Sequence, residues 1–341
     1  MIKTSLFSAA EREAKLDQLG DVLAQLTEHV DFGQLAAAID DAAPRPQRLQ
    51  GGRPPFPTEL MVRVLMIQQL YNLSDEQMEF QLLDRLSFQR FVGLRNSSQI
   101  PDAKTIWAFK ERLLRAGASD TLFAAANQQL AQQGFIARGG QMIDASLVPA
   151  PRQHFTKDEK SVLGENALPA AWRPATRRQK DIEATWTKKH GKSYFGYKFS
   201  SSVDKRYKFI RKIVVSTASE HDTLHFERVL DLSNTSADVY ADKGYVDKGR
   251  EDKLNSQGWR LHIQRKAKPG KRLSDCQKRR NTRIAKIRAR VEHPFAALAQ
   301  MGGKQLRVIG LARANFQLHC KAACYNLRRL LNLKRMGVIA F

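Results

Sequence analysis

Apolar residues near the start of the chain recur at alternating spacings of three and four: Leu16, Leu19, Leu23, Leu26 and Val30. That period lays one seam along a helix and predicts a helix over residues 9–30. Pro54, Pro55 and Pro57 then forbid a helix until Thr58. TELMVRVLMIQQLYNL follows as a nearly all-apolar, buried helix. Ser74 and Gln77 form a capping-box pattern that opens another helix through about Leu86. SFQRFVGL, DAKTIWAFKERLLRAG and SDTLFAAANQQLAQQGF continue the series, so residues 1–135 read as one all-α domain.

At Gly139 the period changes. GGQMIDASLV is a short apolar run behind paired glycines, a strand by length and flanks. Residues 150–192 are rich in Arg, Lys and Pro and read as an insertion or extended loop. YFGYKFSSSVD and RYKFIRKIVVSTAS are β-rich runs around the turn residues Asp204 and Lys205, hence a hairpin. HDTLHFERVLDL predicts an amphipathic helix, with His221 as its cap. ADVYAD predicts a strand, GYVDKGREDKLNSQG a helix and WRLHIQR a strand. A long helix is expected from about Ser274 to Gln300, then a last one over FQLHCKAACYNLRRLLNL. Three antiparallel strands first and helix-linked parallel strands after them are the order of a ribonuclease-H-like fold. The expected class is α+β, with an all-α domain at 1–135, a mixed-sheet domain at 136–300 and a basic helical segment at 301–341.

Charge narrows the partners. Lys and Arg number 57 against 34 Asp and Glu, a net charge of +23. From Arg260 to Phe341 there are 21 basic residues and two acidic ones, Asp275 and Glu292. Such a density calls for a polyanion. Few aromatics accompany it, which favours a duplex backbone over stacked single strands. No apolar stretch approaches the roughly 20 residues that span a bilayer, so no membrane partner is expected. MIKTSLFSAAEREAK lacks a secretory core, which places the chain in the cytosol, on the nucleoid. Cys276, Cys320 and Cys324 fit a reducing compartment, and HCKAAC reads as helix packing, not zinc. Neither a Walker loop nor GxGxxG occurs, so no nucleotide cofactor is indicated.

Against this basic background three acids stand out. Asp144 ends the first strand and Asp242, in ADKGY, ends the fourth, that of ADVYAD. In the proposed order those strands are neighbours, so both carboxylates open at one edge. Glu292, in ARVEHPF, sits on the helix expected to cross them, among Lys286, Arg288, Arg290 and His293. Three hard oxygen ligands in a basic groove suit Mg²⁺ and phosphate chemistry.

GRPPFPTELMVRVLMIQQLYNLSDEQMEFQLLDRLSFQRFVGL, IDAS, YFGYK, ADKGY, RARVEHPF and YNLRRLL occur in this order over roughly residues 50–332. In that combination the chain resembles the DDE transposases of bacterial insertion sequences, specifically the insertion-sequence-five family of the insertion-sequence-four-like group. The resemblance implies that Asp144, Asp242 and Glu292 are the catalytic, metal-binding carboxylates. It implies two Mg²⁺ ions, with Mn²⁺ as substitute, and cleavage of duplex DNA at terminal inverted repeats followed by strand transfer into target DNA. A homodimer or larger complex on DNA follows from joining two ends. Arg288, Arg290, Lys243 and Lys304 are the expected DNA-binding residues. The related signature has tyrosine and lysine where this chain has Ala285 and Ala299, and Lys304 is the nearest downstream lysine. Two other readings stay open: an inert DNA-binding regulator, and a nuclease of the same fold without strand transfer. Trp107 and Trp259 read as core, whereas Trp172 and Trp186 lie in the polar insertion, where an exposed aromatic calls for a partner.

Overall fold

The computed structural model describes residues 5–340 except 46–53, 96, 166, 190 and 268. The opening Gly52 and Arg53 of the GRPPFP stretch, and Lys268 of the basic link, lie outside the described residues. The chain divides into two compact units, residues 1–118 with 330–337, and residues 119–329 with 338–341.

The first unit is helical: α1 (Ser8–Leu19), α2 (Val22–His29), α3 (Phe32–Ala42), α4 (Thr58–Tyr71), α5 (Asp75–Asp84), α6 (Leu86–Val92) and α7 (Ala103–Arg115). The single helix expected over 9–30 is two, because Gly20 takes φ 84°, a conformation a side chain would strain. Ser74 and Gln77 make the capping box as expected. α4 is buried along most of its length, and Arg63 on it reaches across to Glu59, the Phe91 carbonyl and the face of Phe32. Trp107 is 49% exposed, against the expectation of core packing. The stripe α7 buries is Ile106, Phe109 and Leu113, and position 107 lies about 100° round from it.

The second unit contains α8 (Thr121–Gln132), β1 (Gln141–Pro149), α9 (Lys157–Gly164), α10 (Pro174–Gln179), β2 (Thr185–Lys189), β3 (Lys192–Asp204) and β4 (Ile210–Thr217). After them come β5 (Asp238–Ala241), α11 (Lys248–Ser256), β6 (Arg260–Ile263), α12 (Asp275–Arg288), α13 (Glu292–Leu298) and α14 (Leu311–Arg335). The sheet order is β2-β3-β1-β5-β6, with β4 on the same edge of β3 as β2. β1 is antiparallel to β3 and parallel to β5, and β5 is parallel to β6. This is the expected α+β, ribonuclease-H-like mixed sheet. The insertion is more ordered than a loop, since it holds α9, α10 and the edge strand β2, so Asp242 follows the fifth strand and not the fourth. Asp144 lies inside β1 and not at its end, because pairing with β3 continues to Pro149.

One sheet face buries Ile143, Val239 and Ala241 under Phe226, Val229, Tyr245 and Leu254. The other is crossed by α12, which packs on β1 and β5 and buries Ile284. β3 comes so close to β1 at Gly196 that a Cβ there would lie 2.4 Å from the Val148 carbonyl, which explains the glycine of YFGYK.

Two expected helices come out broken. HDTLHFERVLDL forms short 3₁₀ turns, Asp222–His225 and Glu227–Val229. The Thr223 carbonyl, which an α-helix would offer to residue 227, is taken by the Arg250 guanidinium at 2.7 Å and by the Phe226 amide. His221 still caps the first turn. The helix expected over 274–300 stops at Arg288, passes through a 3₁₀ turn at Ala289–Val291 and restarts as α13. Pro294 is the cause. It has no N–H for the carbonyl of Arg290 and its ring would clash there, whereas the third position of a new helix tolerates it.

α14 is no detachable basic tail. Leu318, Ala322, Cys324 and Leu327 on it are buried, and Asn326 bonds both backbone groups of Ile210. Cys320 and Cys324 are free and buried in this helix.

Candidate active site

The parallel pairing of β1 with β5 matches Gln141 to Val239 and Met142 to Tyr240. Continued two residues further, the same register sets Asp144 beside Asp242, on the face that α12 crosses. Asp144 is anchored on both oxygens. Oδ1 accepts the Ala145 amide at 2.9 Å, and Oδ2 accepts Arg288 Nη2 at 2.9 Å. Burial pushes the Asp144 carboxyl above its usual range; the Arg288 charge pulls it back, and the Asp242 charge adds to the upward push. Asp242 is partly exposed at the head of the 3₁₀ turn Lys243–Tyr245. Its Oδ1 accepts the Gly244 amide at 2.6 Å, and its Oδ2 has no partner among the described residues.

Arg288 leaves the last turn of α12 to reach Asp144, and Nη1 lies 3.5 Å from Gln264 Oε1 just past β6. Its Nε is buried without a partner among the described residues. Glu292 does not join this cluster. It is exposed at the first position of α13 and makes no hydrogen bond or ion pair among the described residues. Along an unbroken α-helix, position 292 would sit about 40° round from 288, but 3₁₀ winding carries it to about 120°. The Pro294 break therefore turns the third carboxylate off the arginine's face. Among the described residues no group of three His, Cys, Asp or Glu side chains is arranged to hold a metal ion.

The remaining expected residues spread outward. Lys243 is exposed directly after Asp242, and Lys304 is exposed beyond the π-type turn Ala299–Gly303. Arg290 is exposed on the far side of the break. Its charge, after burial and Arg329, helps depress the pKa of Lys208 at the β3–β4 turn.

Several neighbours escaped sequence reasoning. The Tyr245 hydroxyl is buried and has no hydrogen-bond partner among the described residues. Burial pushes its phenol far up, and the charges of Asp144, Asp222 and Asp242 push the same way, so it lies within reach of all three. Lys198, buried in β3, pairs with Asp222 at 2.7 Å. Asp181 is buried where the insertion rejoins the sheet. It accepts from the Tyr197 hydroxyl, the Ala184 amide and the Gly310 amide. The Lys198 of YFGYK and the Tyr245 of ADKGY were visible as motif letters, but only the fold shows what they touch.

The donor chemistry fits a hard divalent ion. Two carboxylates stand side by side where the central strands β1 and β5 part, one with an oxygen uncommitted, and Mg²⁺ is commonly held by one or two carboxylates plus phosphate and water. A mixed sheet of this strand order, flanked by helices, is a ribonuclease-H-like fold. Comparison with family models identifies it further: the chain belongs to the transposase DDE domain family, whose model matches residues 137–327. A second model, transposase domain (DUF772), matches residues 10–112. The protein is a DNA transposase, a DNA-cleaving and strand-transferring enzyme whose family chemistry depends on divalent metal. A cryo-EM structure of a piggyBac transposase synaptic complex with hairpin DNA is similar at 11% identity, over 92% of this chain and 75% of that one, with a TM-score of 0.46. No helix among the described residues is long and apolar enough to cross a membrane.

Proposed function

We propose that Asp144 and Asp242 are the catalytic carboxylates of an insertion-sequence transposase of the insertion-sequence-five family, with Glu292 as third member. The observation that carries this is the register of β1 with β5, which, extended two residues, sets the two aspartates side by side on the face that Arg288 enters. Glu292 is supported by the resemblance of its stretch, RARVEHPF, to the family motif and by its freedom from other partners among the described residues. Asp144 and Asp242, with Glu292, would hold Mg²⁺, two ions per site, with Mn²⁺ as substitute, and the bound metal would supply positive charge for activating the attacking hydroxyl and stabilising the leaving oxygen.

The chain's own side chains do the rest. Arg288 opposes the upward push that burial exerts on the Asp144 carboxyl and presents a fixed guanidinium to the DNA phosphate; it transfers no proton, since arginine stays charged. Lys243, Arg290 and Lys304 add phosphate contacts outside the carboxylates. The Gly244 amide holds one oxygen of Asp242, which leaves the other aimed by the turn. The substrate is duplex DNA bearing terminal inverted repeats, then target DNA, and the complex on DNA is a dimer or larger. The N-terminal helices, residues 1–135, supply DNA binding and dimerisation.

Supercoiled plasmid carrying two terminal repeats, incubated with Mg²⁺, tests the reading. Excised and joined products are expected. Cleavage without joining would leave a nuclease of this fold, and neither product would leave a DNA-binding regulator.

A further inference from the structure

The sheet face that carries Asp144 continues past the carboxylates. Asp144 pairs with Ser201 across β1 and β3, and side chains alternate, so Phe199, Tyr197 and Phe195 share its face. Phe199 confirms this by packing its ring against Phe295 of α13, with centroids 6.0 Å apart. β2 extends the face: Trp186 pairs with Phe195, their rings 5.3 Å apart, and Lys188 lies two residues on, on the same side. Trp186 is 49% exposed, and the Arg152 guanidinium stands over its ring at 5.8 Å. Edge lysines alone would serve to block strand addition. A half-exposed tryptophan on the same strand does the opposite, because it leaves apolar surface to be covered.

The surroundings say what covers it. The insertion, residues 150–192, carries ten Lys and Arg against five Asp and Glu. Leu306 donates its amide to Pro149 at the end of β1, and this fixes the segment bearing exposed Lys304 and Arg307 close by. Trp186 is also held in place, since Asp181 ties the start of β2 to Tyr197 and Gly310. The other insertion tryptophan, Trp172, is 6% exposed under Phe155, Glu159 and Lys180, so the insertion has its own small core and does not need Trp186 to fold.

We propose that Trp186, Arg152 and Lys188 form a contact for the backbone of the bound DNA end, at a fixed distance from the cleaved phosphate. Trp186 sits opposite position 150, about six residues along β1 from Asp144 and two strands across, which is about 22 Å. At about 3.4 Å per base pair this is roughly six base pairs from the scissile phosphate. Arg152 and Lys188 pair with phosphates there, and the indole ring packs on the deoxyribose between them. The proposal rests on the reading of the chain as an end-binding transposase and adds a site to it.

Hydroxyl-radical footprinting, which attacks deoxyribose, tests it on a duplex carrying the terminal repeat that flanks the coding sequence. Wild type should protect the backbone about six base pairs from the cleavage point. Trp186→Ala should lose that protection alone and bind about tenfold more weakly, while Trp186→Phe retains most of both. Arg152→Ala and Lys188→Ala, both at exposed positions, should each reduce the slope of log affinity against log salt by about one. Unchanged footprints and slopes in these variants, with wild type binding normally, overturn the proposal. Wild type that protects no DNA at all overturns instead the end-binding reading beneath it.

Discussion

Asp204–Arg211 and Asp144–Arg288 are both aspartate–arginine pairs on this sheet, and they are built differently. Asp204, at the β3–β4 turn, is fully buried and accepts from the Tyr207 amide, the Phe209 amide and Arg211 Nε. Arg211 spends its remaining reach on the Phe135 carbonyl and the face of Phe209. The partners are seven residues apart, so the hairpin alone assembles them. Asp144 and Arg288 are 144 residues apart and meet only because the whole sheet and α12 are in place. Arg288 keeps an unpartnered buried Nε, and Asp242 beside it keeps an uncommitted oxygen. Burial pushes both Asp144 and Asp204 upward, and an arginine pulls each back. The shift therefore does not separate scaffold from chemistry; the state of the surrounding hydrogen bonds does. A saturated pair holds a turn, and an unsaturated one waits for a ligand.

The sharpest break between the two comes from removing charge without changing shape. Asp144→Asn or Asp242→Asn should lower metal-dependent cleavage by about three orders of magnitude, the effect of several kcal/mol of charge stabilisation. Binding to terminal-repeat duplex should stay within about threefold, since the basic surface supplies affinity. Asp204→Asn should change cleavage only as far as it unfolds the protein. A wild-type cleavage rate in either site variant would remove that aspartate from the chemistry.

Stability should run the other way. Arg211→Ala strands a fully buried carboxylate and should cost about 3–5 kcal/mol in urea denaturation. Arg288→Ala should cost roughly 1–3 kcal/mol, because Asp144 keeps the Ala145 amide and is 16% exposed as a side chain. Equal costs would mean that the site pair is as structural as the hairpin pair.

How much of this was legible depends on distance along the chain. The period change at Gly139, the hairpin around Asp204 and the strand before Asp242 are local patterns, and all stand in the structure. The pairing of Asp144 with Asp242 was reachable because parallel strand order follows from helix-linked strands. The failures came where one residue outvotes a pattern. Pro294 was plain in the sequence, yet the long apolar period around it hid the break, and with it the turning of Glu292 away from Arg288. The tryptophans misled for a related reason. Composition made Trp172 look exposed, while Phe155 and Lys180 give it a core that no local pattern announces. Trp107 was legible from spacing, one step off the buried stripe of α7. The basic C-terminal segment, residues 301–341, read as a surface for a polyanion, but six of its eight cations lie on α14, and a count of charges cannot tell which of them face outward.

Lys321 supplies the smallest effect and a third kind of buried charge. It sits in α14 with no exposed surface, and its Nζ donates to the Met301 carbonyl at 2.5 Å, in the turn that ends the α13 segment. Burial is the main cause that pulls its pKa down from 10.5 to about 8, with Cys320 and Cys324 opposing. Below about pH 8 the lysine is charged whether the protein is folded or not, and the folded state bears the cost of burying that charge. Between about pH 8 and 10.5 the folded protein has released the proton while the unfolded chain still holds it, so stability rises with pH over that window. Lys321→Met removes the group and the slope with it. The stability of wild type relative to Lys321→Met should therefore climb by up to roughly 3 kcal/mol from pH 8 to pH 10.5, and stay flat between pH 6 and pH 7. Urea denaturation of both proteins at these pH values measures the difference directly. A difference that stays level through pH 10.5 would show that water or backbone solvates the ammonium as well as solution does, and that this buried charge is as saturated as the Asp204–Arg211 pair.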